Sequence, residues 1–280
     1  MDKKRIILGL TIAVFLSSAV LFLPAGNVIV LLGLMLVCAL AMREVFELMA
    51  KGDLPASKKM GIISGVVFVA ATWLVAKCGL PEEILWSILL MTFLAIFLRL
   101  FGYSDARQAL RNASGTLFAF CYVAFLFSFF VRLYMMDDPS LPTKAAFYLL
   151  LVVKWGDAGA YFIGSRFGKH KMCPRISPKK SWEGLFGGFL FSCVVGLLWC
   201  LCTKDPLGQY SFSWIHAVIL GFLLHTIGTL GDLVESLFKR AVDIKDSGSI
   251  AYGMGGMLDM IDSLLFTAPF MYMYIHFFLR

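Results

Sequence analysis

Charge is what this chain has least of. Only 15% of its 280 residues are Asp, Glu, Lys or Arg, where an ordinary soluble domain carries about a quarter. The deficit excludes a water-soluble fold, because 60% of the residues are hydrophobic and no single core can hide that much apolar surface. Internal repeats and low-complexity tracts are also missing, which counts against the inverted-repeat transporters. There are only four histidines, and no Ser-His or Cys-His dyad is evident. Six of the seven cysteines, Cys38, Cys78, Cys121, Cys193, Cys200 and Cys202, fall in or beside apolar runs, and Cys173 lies in a loop. That scatter implies no disulfide framework.

What is present is a succession of apolar stretches, each long enough to approach the roughly 20 residues a helix needs to cross a bilayer. Nine are expected, at 6–22, 28–48, 61–74, 84–98, 115–130, 145–163, 185–202, 214–234 and 260–279. The reading is an all-α polytopic integral membrane protein with about nine transmembrane helices. With the N-terminus cytoplasmic and the C-terminus outside, 19 of the 25 Lys and Arg fall on the inner side and 5 on the outer, Lys154 lying within a span. That asymmetry matches the positive-inside rule. The opening Lys3-Lys4-Arg5 resembles a signal peptide, but the apolar run after it is long and has no clear small-x-small cleavage site, so a retained first helix is expected. The net charge of +7 would suggest nucleic acid in a soluble protein. Here it reflects topology and a surface suited to anionic head groups and phosphates, with no nucleic acid as partner.

The chain divides by chemistry. Residues 1–135 read as scaffold helices with no acidic cluster standing out, and residues 136–280 as a catalytic region with two basic cytoplasmic loops. The first chemical cluster runs from Lys154 to Lys171 and on through Ser177–Gly184. Asp157 inside an apolar run is costly and needs a partner, and Lys154 lies three residues earlier on the same helical face. The alternative is a pair that only locks two helices together. Basic side chains after it, Lys179 and Lys180 included, suit a polyphosphate at the membrane surface, although every cytoplasmic loop is expected to be basic.

The second cluster occupies Gly231–Ser263. Asp232 ends one span, and Asp259 and Asp262, spaced i,i+3, begin the next, so three carboxylates are expected to converge at the interface. Unpaired they would repel one another, which calls for a cation or a basic partner. Mg2+ is commonly held by one or two carboxylates plus substrate phosphates. Lys239, Arg240 and Lys245 supply fixed positive charge, and Gly253, Gly255 and Gly256 let backbone N–H groups approach an anion. His216 and His225 read as packing or helix-to-helix hydrogen bonding, and His170 as part of the basic loop.

These residues carry a resemblance. Ser236-x-Phe238-Lys239-Arg240-x4-Lys245-Asp246-Ser247-Gly248, followed by Gly253-x-Gly255-Gly256-x-x-Asp259-x-x-Asp262, resembles the signature of the phosphatidate cytidylyltransferases, also called CDP-diacylglycerol synthases. The segments DAGAYFIG, FGKHK and SPKKSWEG resemble the same family in the same order. The likeness covers about the C-terminal half. Several positions depart from the family's usual pattern: Ala251-Tyr252-Gly253-Met254-Gly255-Gly256 stands where Leu-Pro-Gly-His-Gly-Gly is common, Met260 where an Arg is common, and Ser181 where a Thr is more usual.

The resemblance implies that CTP and phosphatidate give CDP-diacylglycerol and pyrophosphate, with Mg2+ and room for a second cation. It implies Asp232 and Asp259 as metal ligands, Asp262 as a further ligand or a support behind them, and Lys239 as a catalytic contact to phosphate. Lys179, Lys180, Arg240, Lys245, Ser177, Ser236, Asp246, Gly255, Gly256 and Asp157 would contact or orient substrate. It further implies a homodimer in the bacterial inner membrane, surrounded by lipid, with its site facing the cytoplasm. The competing readings are a CTP-dependent lipid-alcohol kinase, an ion-coupled transporter and an inactive relative.

Overall fold

The computed structural model describes residues 23–136, 143–207, 210–242 and 256–279. Eight long helices account for most of them. They are α1 (Val28–Lys51), α2 (Lys58–Cys78), α3 (Glu83–Leu98), α4 (Ala106–Tyr134), α5 (Lys144–Phe167), α6 (Trp182–Cys202), α7 (Trp214–Ala241) and α8 (Met257–Phe278). Seven of these, α1 to α7, are long and apolar enough to cross a membrane, α3 being extended for this purpose to Gly102 by a 3-10 turn. The eighth, α8, has 22 residues and carries both Asp259 and Asp262 in its first two turns. The chain is an all-α, multi-pass membrane protein. Each expected span from 28–48 to 260–279 corresponds to one helix, while the span at 6–22 lies outside the described residues.

Helix boundaries follow local chemistry. Asn27 accepts the N–H of Ile29 at the start of α1, Asp105 that of Arg107 at α4, and Ser181 that of Gly184 at α6, each satisfying a donor the first turn leaves free. The 61–74 stretch extends to Lys58–Cys78 because lysines at both ends can lay their stems along the helix and keep their ammonium groups in water. Within α4, residues Phe120–Phe125 form a π-helical segment, a feature the sequence does not announce.

The outer faces are apolar: Leu36, Ile63, Leu90, Phe186, Leu198 and Phe277 are all exposed, the pattern expected where the surrounding solvent is hydrocarbon. In the interior, α5, α6 and α7 pack side by side, α7 packs on α8, and α8 returns to lie against α4 and α1. The scaffold and catalytic halves of the sequence are therefore interleaved around the last helix.

Small residues bring α5, α6 and α7 close. His225 of α7 is buried between Gly156 of α5 and Gly188 of α6, and a Cβ on Gly188 would stand 2.2 Å from the imidazole. Both neighbouring helices would have to shift. Gly188→Ala should therefore cost about 1–3 kcal/mol, read as a lower thermal midpoint in detergent; an unchanged midpoint would show that the imidazole can move aside. His216 bonds through Nδ1 to the Tyr274 hydroxyl at 2.9 Å, so both histidines hold helices together, as their positions in the sequence suggest.

Candidate active site

The functional residues gather at one end of the bundle, and backbone events put them there. After α5, the chain forms a short antiparallel ribbon from β1 (Lys171–Cys173) and β2 (Ser177–Ser181) before entering α6. The sequence reads this segment only as a basic loop. At its base, Gly168 lies so close to Ser181 that a Cβ would meet the Ser181 hydroxyl at 2.5 Å, which explains a glycine there. The His170 N–H donates to the Glu183 carboxylate, and His170 Nδ1 stands 2.6 Å from Glu183 Oε1.

The ribbon docks on α7 through two cations. Lys180 Nζ stands 2.7 Å from Asp232 Oδ2 and donates to the Thr229 carbonyl at 3.2 Å. Arg240 Nε donates to the Ile176 carbonyl at 3.2 Å. Ser236, one turn beyond Asp232, donates to Asp232 Oδ1 at 3.4 Å. Lys179, beside Lys180 in β2, is exposed, and Ser177 sits at the other end of the strand opposite Cys173.

A second ion pair joins α7 to α8. Lys239 Nζ stands 2.6 Å from Asp259 Oδ1 and 2.9 Å from Glu235 Oε2. Asp259 turns back over the start of its own helix, where Oδ2 accepts the N–H of Gly256 at 2.6 Å. Asp262 is buried and accepts from the N–H and hydroxyl of Ser263. On α5, Lys154 stands 4.0 Å from Asp157 and donates to the Met260 carbonyl at 3.3 Å, so the expected pair exists but the lysine also reaches the last helix. Asp157 lies within electrostatic reach of Asp232 and Lys180, as Asp262 does of Asp232 and Lys154.

The three aspartates thus share one end of the molecule without closing into a cluster. Among the described residues, no three acidic, His or Cys side chains stand where they could jointly hold a metal ion. The physical reason is visible in the pairs: like charges separate unless a cation lies between them, and here Asp232 and Asp259 each face a lysine instead. Lys245, Asp246 and Gly255, together with Gly253 and Met254, lie outside the described residues.

Three residues escaped the sequence reading. Glu235, 1% exposed, shares Lys239 with Asp259; its i,i+4 spacing from Lys239 was the available signal. Glu44, fully buried in α1, accepts the backbone N–H groups of Met257 and Leu258 at 2.8 and 2.7 Å. The rule that singled out Asp157 applies equally to a carboxylate in this apolar run. Tyr122, in the π-helical segment, buries a hydroxyl that has no hydrogen-bond partner among the described residues and lies within electrostatic reach of Glu235, Asp262, Asp232 and Asp259.

The chain matches the model of the cytidylyltransferase family over residues 3–278. A phosphatidate cytidylyltransferase of Staphylococcus saprophyticus is 31% identical over 262 residues, which is 90% of this chain and 93% of the relative. That of Staphylococcus epidermidis is 32% identical over 267 residues, with the same coverage of 90% and 93%. A match with the phosphatidate cytidylyltransferase of Bacillus subtilis reaches 39% identity over 151 residues, 54% of each chain. With a match across nearly its whole length and its acids and lysines assembled at one end of the bundle, the chain belongs to the cytidylyltransferase family.

Proposed function

We propose that this protein joins CTP to phosphatidate, giving CDP-diacylglycerol and pyrophosphate, at the cytoplasmic face of the bacterial inner membrane. The observation that carries the reading is the pair of lysine–carboxylate contacts, Lys180–Asp232 and Lys239–Asp259, brought to one end of a membrane-spanning bundle. That end also receives the basic ribbon, which supports a cytoplasmic placement.

The chemistry suits these groups. A phosphomonoester is largely dianionic at pH 7, its second pKa being about 6, so an oxygen of the lipid phosphate can attack the α phosphorus of CTP without a protein base. A new P–O bond forms there as the bond to the bridging oxygen of the β phosphate breaks, and pyrophosphate leaves. What the protein must supply is alignment of two anions and compensation of negative charge. Lys180, Lys239 and Arg240 do this at fixed positions, each held by a carboxylate or a carbonyl. Incoming phosphate oxygens compete with Asp232 for Lys180, while Ser236 and Ser177 offer hydroxyls, Lys179 an exposed ammonium, and Asp157 orients Lys154.

The donor set fits Mg2+. Carboxylate oxygens are the ligands it prefers, and one or two together with substrate phosphates are enough, so three gathered acids are not required. The Asp232 side chain is 41% exposed and so accessible to an ion arriving with the nucleotide. Asp232 and Asp259 would hold the ion, with Asp262 behind them. When bound, Mg2+ supplies charge neutralisation on the departing pyrophosphate.

The test is pyrophosphate release and CDP-lipid formation from CTP, phosphatidate and Mg2+, in purified protein and in sealed vesicles of known orientation. Equal amounts of the two products are expected, with inside-out vesicles using external CTP. Release of CDP with a lipid alcohol would replace this reading by the kinase, and silence from folded protein with both substrates would remove it. Activity confined to right-side-out vesicles would reverse the orientation.

A further inference from the structure

We propose that Glu44, on a helix outside the recognisable catalytic segments, is a positioning residue that sets the carboxylate of Asp259 for the reaction proposed above, on which this inference rests. The argument begins with a deficiency. Gly256, at the N-cap of α8, has no side chain with which to satisfy the first free N–H groups of the helix, although such donors require partners when buried. The partners come from acids. Asp259 takes the N–H of Gly256, and Glu44, 213 and 214 positions earlier in sequence, takes those of Met257 and Leu258, one on each carboxylate oxygen.

Negative charge at a helix N-terminus is favourable, and hydrogen bonds to a carboxylate are stronger than neutral ones. A charged group excluded from water is nevertheless costly to keep, and a Ser or Asp at the N-cap would satisfy a donor more simply. What the distant carboxylate adds is geometry. It ties the first turn of α8 to α1, and from that turn Asp259 reaches Lys239 at 2.6 Å. Glu44 touches no substrate in this arrangement; it acts by fixing where Asp259 stands.

Glu44→Gln keeps the shape but can accept through only one oxygen, and its amide group faces an N–H. Turnover should fall about tenfold, since small misplacements of reacting groups reduce rates steeply. The Mg2+ concentration for half-maximal rate should rise several-fold while the KM for phosphatidate stays put, and the rise in thermal midpoint produced by Mg2+ with CTP should shrink. Met257→Pro removes one of the two donors from the other side. Proline is accepted at the first helical position, and Gly256 already has the extended backbone (φ −87°, ψ 176°) that a following proline needs. It should act in the same direction. Glu47, half-buried on the same helix and paired with Arg43 and Lys58, is the control, and Glu47→Gln should leave all three readouts unchanged.

If Glu44→Gln and Met257→Pro lower only the midpoint, leaving turnover and Mg2+ dependence intact, Glu44 is a structural clasp and the inference is lost. Failure of both variants to fold would overturn it in the same way. Wild-type protein that makes no CDP-lipid removes the proposed function and this inference together, whereas active wild type with an indifferent Glu44→Gln removes this inference alone.

Discussion

Asp259→Asn should abolish most CDP-lipid and pyrophosphate formation, by about 10²-fold or more, while the protein remains folded. The carboxylate serves two donors at once, the Lys239 ammonium at 2.6 Å and the Gly256 N–H at 2.6 Å. An asparagine has one acceptor oxygen for these two. Whichever donor it keeps, its amide points at the other, and the negative charge opposite Lys239 is gone. Removing one partner of a charge-assisted contact costs roughly 1–3 kcal/mol of stability, which a multi-helix bundle can absorb. The loss of rate is larger because the charge acts where phosphate oxygens and a cation meet, the setting in which fixed electrostatics contribute most. The measurement is product formation at matched protein concentration beside a thermal unfolding curve. A folded variant with near-normal turnover would remove Asp259 from the site.

The helices were legible because a bilayer imposes length: runs of apolar residues near 20 long admit few other structures. Eight expected spans recur as helices, and α2 differs only because lysines extend it past its apolar limits. Ser181 was readable as retaining a hydroxyl, and its use is now plain as the N-cap of α6. The ribbon was not legible. It rests on a few backbone pairs in Lys171–Ser181, and a basic, proline-containing stretch reads as loop by composition. The site was legible residue by residue but not as an arrangement. Asp232, Lys180, Lys239 and Asp259 all stand out in the sequence, yet which lysine faces which acid depends on how the ribbon and α8 each lie against α7. Glu44 shows the same limit from the other side. Its partners are backbone N–H groups 213 and 214 positions away, and no side-chain pattern marks them.

Lys239→Met should separate what holds the site together from what makes it react. Lys239 is the shared partner of Asp259 and Glu235, and Glu235 is 1% exposed. Leaving buried carboxylates without their cation is strongly destabilising, about 3–5 kcal/mol in comparable cases, so the single variant should unfold at markedly lower temperature and show little turnover. The loss of turnover alone would not reveal whether Lys239 contacts phosphate or only neutralises its neighbours. Adding Glu235→Gln settles the ambiguity, because one of the stranded charges is then removed and Gln can still hydrogen-bond. The double variant Lys239→Met/Glu235→Gln should regain much of the thermal midpoint yet remain about 10²-fold or more below wild type in rate, since no cation faces the substrate phosphates at that point. Recovery of both stability and rate would make Lys239 a structural counter-ion, and the phosphate contact would then fall to Lys180 and Arg240. Recovery of stability alone assigns Lys239 to the chemistry, with Glu235 as the buried group that fixes its ammonium against Asp259.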